Sequence, residues 1–258
     1  MAGKDDYYNR AKQQGYRARS AYKLKQLDRE FDLIAHGDTV VDLGAAPGGW
    51  LQVAAEAAGA HGRVIGVDLQ RIDDVEKGDA PVETIRGDMT EDETKDAIRE
   101  AADDRVDVVI SDMAPNMTGE YNLDHARSVH LARQALETAE ELLGEGGSFA
   151  VKVFQGQDLA DFKADVEREF AFSRTTSPKA SRQASSEVYV VGKNKLTGPV
   201  RVGDELDVEI TGVGEEGDGI AKVDGFTLFV AGAAEGDEVH VEVTDVKPRF
   251  GFAEPIEE

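Results

Sequence analysis

Thr39-Val40-Val41-Asp42-Leu43-Gly44-Ala45-Ala46-Pro47-Gly48-Gly49-Trp50 passes from a short apolar run directly into a glycine-rich turn. A short apolar run closed by Gly and Pro reads as a buried strand and the turn that follows it. The small-residue stretch at 51–58, LQVAAEAA, reads as the helix after the turn. Glycine lets the backbone bend sharply there and approach a ligand closely. A dinucleotide fold is the rival reading, with its G-x-G-x-x-G fingerprint and a pyrophosphate at the helix N-terminus. The spacing here is Gly44-x-x-x-Gly48-Gly49, which lacks the first G-x-G. Asp42 also stands beside the turn, where a carboxylate repels a pyrophosphate and could attract a cation.

Outward from this junction, strand and helix patterns alternate. Strands are expected at 62–69 (GRVIGVDL, ending in Asp68), 83–89 (ETIRGDM, ending in Asp88), 106–116 (VDVVISDMAPN with its loop) and 147–154 (GSFAVKVF). Segments 172–176 and 187–194 read as the last strands. Helical spacing covers 17–34, 90–102 (with a capping residue and an acidic first turn), 124–143 and 158–170. This alternation predicts an α/β domain: a mostly parallel, Rossmann-like sheet wrapped on both faces, with ligands at the carboxyl ends of its strands. After about Asn194 the texture changes to polar–apolar alternation broken by GEEGDG, DG and AAEGD. That pattern predicts a small C-terminal all-β barrel of the OB-like kind, with domains at 1–193 and 194–258.

Acidic residues number 52 against 29 basic ones, a net charge of −23. Nucleic-acid enzymes are usually basic, because phosphate contacts supply much of their affinity. A salt-saturated cytoplasm reconciles the two, since screening there shortens to about 3 Å or less and excess carboxylates keep proteins soluble. Two cationic islands remain: Lys4, Arg10, Lys12, Arg17, Arg19, Lys23 and Lys25 near the N-terminus, and Arg174, Lys179, Arg182, Lys193 and Lys195. Together they suggest a polyanionic partner, with Arg17, Arg19, Lys25 and the 174–182 island expected on its backbone. The chain has no cysteine, so a disulfide framework, a Cys-based zinc site and a cysteine nucleophile are excluded. Its five histidines show no ligand spacing, and no metal is expected. No apolar run is long enough for a membrane span, and a cytoplasmic monomer is expected.

Asp68 and Asp88 close successive strands, and they sort the possible cofactors. Asp68 suits ribose hydroxyls, and Asp88 could accept from an adenine amino group. S-adenosylmethionine presents an ammonium, a sulfonium and an adenosine, so it favours carboxylates over phosphate clamps. Trp50 is a candidate wall for the same site.

The motifs DLGAAPGGW (42–50), SDMAPNMTG (111–119), VKVFQG (151–156) and SSEVYVV (185–191) closely resemble those of the FtsJ-type ribosomal RNA 2′-O-ribose methyltransferases, over about residues 10–193. The segment from about 194 to 252 resembles a TRAM domain, a small RNA-binding barrel. The resemblance implies a class I S-adenosylmethionine-dependent methyltransferase fold. It implies a catalytic tetrad of Lys23, Asp112, Lys152 and Glu187, and cofactor contacts at Gly48, Trp50, Asp68, Asp88 and Asp112. It also implies 23S rRNA, or the large ribosomal subunit, as partner, with uridine as the target.

The chemistry fits these residue types. A ribose 2′-hydroxyl is a poor nucleophile at neutral pH, whereas a methyl sulfonium is already activated. The site must therefore accept a proton and align an in-line displacement. A strand-borne Lys152 near a second lysine suits a base, with Asp112 and Glu187 orienting the pair. Without a cysteine nucleophile, pyrimidine C5 methylation fits poorly. The loop Asp112-Met113-Ala114-Pro115-Asn116 also lacks the N/D-P-P-Y/F pattern of amino methylation. Three alternatives stay open: a transfer RNA ribose as substrate, a non-catalytic ribosome-assembly factor and, more remotely, a nicotinamide oxidoreductase.

Overall fold

The computed structural model describes residues 6–181, 186–214 and 216–256. Strands β1 (Thr39–Leu43), β2 (Arg63–Asp68), β3 (Val82–Arg86), β4 (Val106–Ser111), β5 (Leu143–Phe154), β6 (Phe170–Thr176) and β7 (Glu187–Lys195) form a seven-stranded sheet in the order β3-β2-β1-β4-β5-β7-β6. β1 to β5 pair in parallel, and β7 runs antiparallel to both neighbours. Strand order reverses between β1 and β4, which opens a crevice at their carboxyl ends.

Alternation along each strand divides the core. Val40, Val64, Val108, Ile110, Ala150 and Tyr189 face the layer of α1 (Asp6–Gln13), α2 (Ala21–Phe31) and α3 (Gly49–Ala58). Val41, Leu43, Ile65, Val109, Val151 and Val190 face α4 (Asp92–Ala101), α5 (Tyr121–Leu142) and α6 (Leu159–Glu169). Among the described residues no helix is long and apolar enough to cross a membrane.

Several elements differ from expectation. The helix expected over 17–34 is the shorter α2: its entry is a turn, with Ala21 N–H on the Ala18 carbonyl, and Asp32 ends it in the left-handed region at φ 48°. α1 was not expected, because DYYNRAKQ carries few apolar residues. β3 stops at Arg86, so Asp88 lies two residues past it. Glu91 at the start of α4 makes no side-chain capping bond, and Asp92 and Glu93 supply the acidic first turn instead.

The C-terminal sheet has six strands in the order β8-β12-β13-β11-β10-β9. These are β8 (Glu205–Glu209), β9 (Gly212–Val213), β10 (Gly219–Val223), β11 (Phe226–Val230), β12 (Glu238–Val246) and β13 (Phe250–Pro255). The run DELDVEITGV at 204–213, unbroken alternation in the sequence, is β8 and β9 joined by a corner. One half pairs with β12 and the other with β10, which closes the sheet on itself. Leu196, Val208, Leu228, Val230, Val241 and Val243 fill its core. β7 itself runs through the expected 193/194 boundary to Lys195, and the next residue, Leu196, already belongs to the barrel core. At this junction Glu169 accepts from Lys195 at 2.7 Å and Arg201 at 3.0 Å, while Arg249 lies 3.6 Å from Glu145. The barrel therefore hangs from the end of β7 opposite to Glu187.

Candidate active site

Four side chains from four separate segments meet at the carboxyl edge of the sheet. Lys23 comes from the buried face of α2, Asp112 from the residue after β4, Lys152 from β5, and Glu187 from the start of β7. Lys23 Nζ is 2.8 Å from Glu187 Oε1 and 3.4 Å from Asp112 Oδ1. Lys152 Nζ is 3.0 Å from the same Asp112 Oδ1, and it donates to the Asp112 carbonyl at 2.5 Å. Both lysines are buried. Such burial is tolerated only for charges that are paired and hydrogen-bonded.

A fifth group was not singled out from sequence. The Tyr189 hydroxyl donates to Asp112 Oδ1 at 2.5 Å, and its ring lies under Lys23 Nζ at 5.6 Å. Burial, then the charges of Asp112 and Glu187, push its phenol well above the usual tyrosine range, so it stays a donor. The signal was present in EVYVV: two residues from Glu187 along a strand puts Tyr189 on the same face. Register also sets Tyr189 directly opposite Lys152.

Beside this cluster lies a cavity of about 750 Å³, a size suited to a small-molecule ligand. Gly44, Ala46, Asp68, Asp88, Asp112 and Met113 are among its lining residues. Asp68 Oδ2 accepts from Ala46 N–H at 2.9 Å and Oδ1 from Gln70 N–H at 2.8 Å, which fixes the turn after β1. Asp88 Oδ1 accepts from the Thr90 amide and hydroxyl. Gly48 and Trp50 are not part of the lining. Gly48 begins α3 at φ 99°. Trp50 is buried behind the cluster, donating to the Ser20 carbonyl at 2.8 Å and stacking on Tyr189 at 5.9 Å. Asp42 is buried too, with Oδ2 lacking a hydrogen-bond partner; burial first, then Asp112 and Asp68, raises its pKa well above the usual carboxylate range.

Several residues of the cationic islands bond within the fold. Arg17 donates to the carbonyls of Pro47, Asp73 and Asp74. Arg19 donates to Ala180 O at 2.5 Å, and Lys25 pairs with Glu56 at 3.1 Å. Lys193 holds the Phe31 and Asp32 carbonyls at 2.7 Å each. Arg174 and Lys179 are exposed. Lys4 and Arg182 lie outside the described residues.

A largely parallel sheet with a switch-point cavity that carries the carboxylates of Asp68, Asp88 and Asp112 is the frame of a methyltransferase. The chain belongs to the FtsJ-like methyltransferase family, which it matches over residues 16–195, and residues 199–256 match the TRAM domain. It is 66% identical over its whole length to the whole of a Natronomonas pharaonis protein named ribosomal RNA large subunit methyltransferase E. A protein of the same name from Halobacterium salinarum is 66% identical over 97% of this chain and 96% of its own. The crystal structure of a protein named as a ribosomal RNA methyltransferase from Plasmodium falciparum superposes with a TM-score of 0.62 at 28% identity, covering 70% of this chain and 98% of that one. The acidic composition fits the haloarchaeal source of the first two relatives.

Proposed function

We propose that the chain transfers a methyl group from S-adenosylmethionine to a ribose 2′-hydroxyl of large-subunit ribosomal RNA, 23S rRNA, at a uridine. The observation that carries this reading is the convergence of Lys23, Lys152 and Tyr189 on Asp112 Oδ1 beside a carboxylate-lined cavity. The cofactor fits that cavity by its chemistry. Asp68 and Asp88 offer acceptors to the ribose and adenine, and carboxylates suit its cationic end. When bound, it supplies an activated methyl group.

Lys152 is the proposed proton acceptor. Two of its N–H bonds are committed, to Asp112 Oδ1 and the Asp112 carbonyl. In its amine form the lone pair is what remains for the 2′-hydroxyl. Lys23, held by Glu187 at 2.8 Å, positions Asp112 and offers positive charge to the developing alkoxide. Trp50 and Gly48 support the site from behind, through Tyr189 and the turn into α3.

The test is labelled methyl transfer to unmodified large-subunit RNA or subunits in concentrated KCl, with alkaline digestion of the product. The expected label sits in an alkali-resistant dinucleotide and vanishes in Lys152→Ala. Cofactor binding without transfer to this RNA would overturn the reading.

A further inference from the structure

The mouth of the site has a second side. Tyr121 opens α5 and is 57% exposed, yet its hydroxyl donates to the Gln155 carbonyl at 2.6 Å. Gln155 is three residues past Lys152, and its N–H bonds the Ser186 carbonyl at 2.8 Å, next to Glu187. The ring is thus tied by its tip to the ends of the two strands that carry Lys152 and Glu187.

Its base is equally fixed. Asp124 accepts from Thr118 N–H and hydroxyl at 2.8 Å each and from Gly119 N–H at 3.0 Å. His125 Nδ1 sits 3.1 Å from the Phe154 carbonyl. Met117 and Leu123, close to Tyr121 in sequence, are 64% and 38% exposed, and Gln155 and Gln157 are exposed as well. An exposed aromatic side chain tied to the main chain of Gln155, with the neutral amides of Gln155 and Gln157 exposed at that anchor, is suited to an unstacked nucleobase, which stacks on the ring and offers its edge to the amides. It is poorly suited to gripping phosphates. Where salt suppresses phosphate contacts, a charge-free grip of this kind persists.

We infer that Tyr121, with Gln155 and Gln157, is a stacking platform for the base of a nucleotide adjoining the methylated one. This rests on the proposed function, and it adds a determinant of RNA binding on the far side of the β5 and β7 ends from Lys23.

The experiment is steady-state methyl transfer to an RNA fragment by the natural chain, Tyr121→Leu, Tyr121→Phe and Tyr121→Trp, with cofactor affinity measured in parallel. Tyr121→Leu should raise KM for RNA about tenfold, equivalent to ~1.4 kcal/mol, with kcat and cofactor affinity little changed. Phe and Trp, which keep the face, should restore KM to within about twofold. An RNA with abasic sites flanking the target should bind the natural chain and Tyr121→Leu equally. Should Phe lose as much as Leu, the hydroxyl tie alone matters and the platform is overturned. An unchanged KM in Tyr121→Leu overturns it too, while the methyltransferase reading stands on the natural chain's activity. Absence of ribose methylation by the natural chain would remove both.

Discussion

Asp112 Oδ1 is the atom on which the site turns, with Lys23, Lys152 and the Tyr189 hydroxyl gathered around it. Removing the Tyr189 hydroxyl takes away one hydrogen bond to a charged acceptor, worth about 1.5–3 kcal/mol. Tyr189→Phe is therefore expected to lower kcat by roughly 10- to 100-fold and Tm by about 2–4 °C for each ~1 kcal/mol lost, with cofactor affinity nearly unchanged, as transfer assays and calorimetry would read. Asp42 makes the opposite kind of prediction. Its native pKa is raised, so the folded state holds a proton that the unfolded state releases, and stability falls as pH rises from the unfolded carboxylate range toward the native value. At neutral pH, Asp42→Asn should raise Tm, by about 2–4 °C for each ~1 kcal/mol recovered. That gain should vanish below about pH 4, so equal Tm values at pH 7 would refute the upward shift. The tetrad was legible because its members sit in distinctive motifs. Tyr189 was not, because an aromatic inside an apolar strand reads as core; only its register opposite Lys152 and its bond to Asp112 show otherwise.

At the scale of elements, the turn between β1 and α3 decides how the cavity is shaped. Gly44 has φ +75°, and a Cβ there would stand 2.0 Å from Met113 Cγ. Gly44→Ala must push the loop after β4 away from the turn, and it also adds left-handed strain of about 1–2 kcal/mol. Cofactor affinity measured by calorimetry is expected to fall at least about tenfold, an amount equal to ~1.4 kcal/mol; undiminished affinity would show that Met113 can swing aside. The strand–helix alternation was readable because both faces of the parallel strands are buried, which leaves short apolar runs between polar ends. α1 and β13 were not. DYYNRAKQ buries only Ala11, and FGFAEP mixes Gly and Pro into a strand that pairs with β11 and β12. The islands of positive charge also have a part within the fold that sequence does not show. A guanidinium such as Arg17 can spend its donors on backbone carbonyls, which sequence does not display.

At the scale of the whole molecule, Glu169 joins the two sheets. Burial pushes its pKa up, but hydrogen bonds from Arg201 and Lys195 outweigh that and hold it below the usual glutamate value. A lowered native pKa stabilises above the unfolded value and is lost as pH falls through the native one, so acid should loosen the junction first. Glu169→Ala leaves Lys195 buried without its partner, at an expected cost of about 3–5 kcal/mol. Differential scanning calorimetry should then resolve the barrel's unfolding from that of the larger domain; a single unshifted transition would deny Glu169 this role.

β7 has one more consequence. It begins beside the tetrad at Glu187 and ends at Lys195, where the barrel takes over. Eight steps of extended chain span about 26 Å, and the strand is locked between two neighbours, so that length cannot stretch or shorten. The strand is a ruler built into the protein. A short oligonucleotide can reach the methyl-transfer end alone, whereas an RNA touching both ends must be folded or long enough to come round the edge of the sheet.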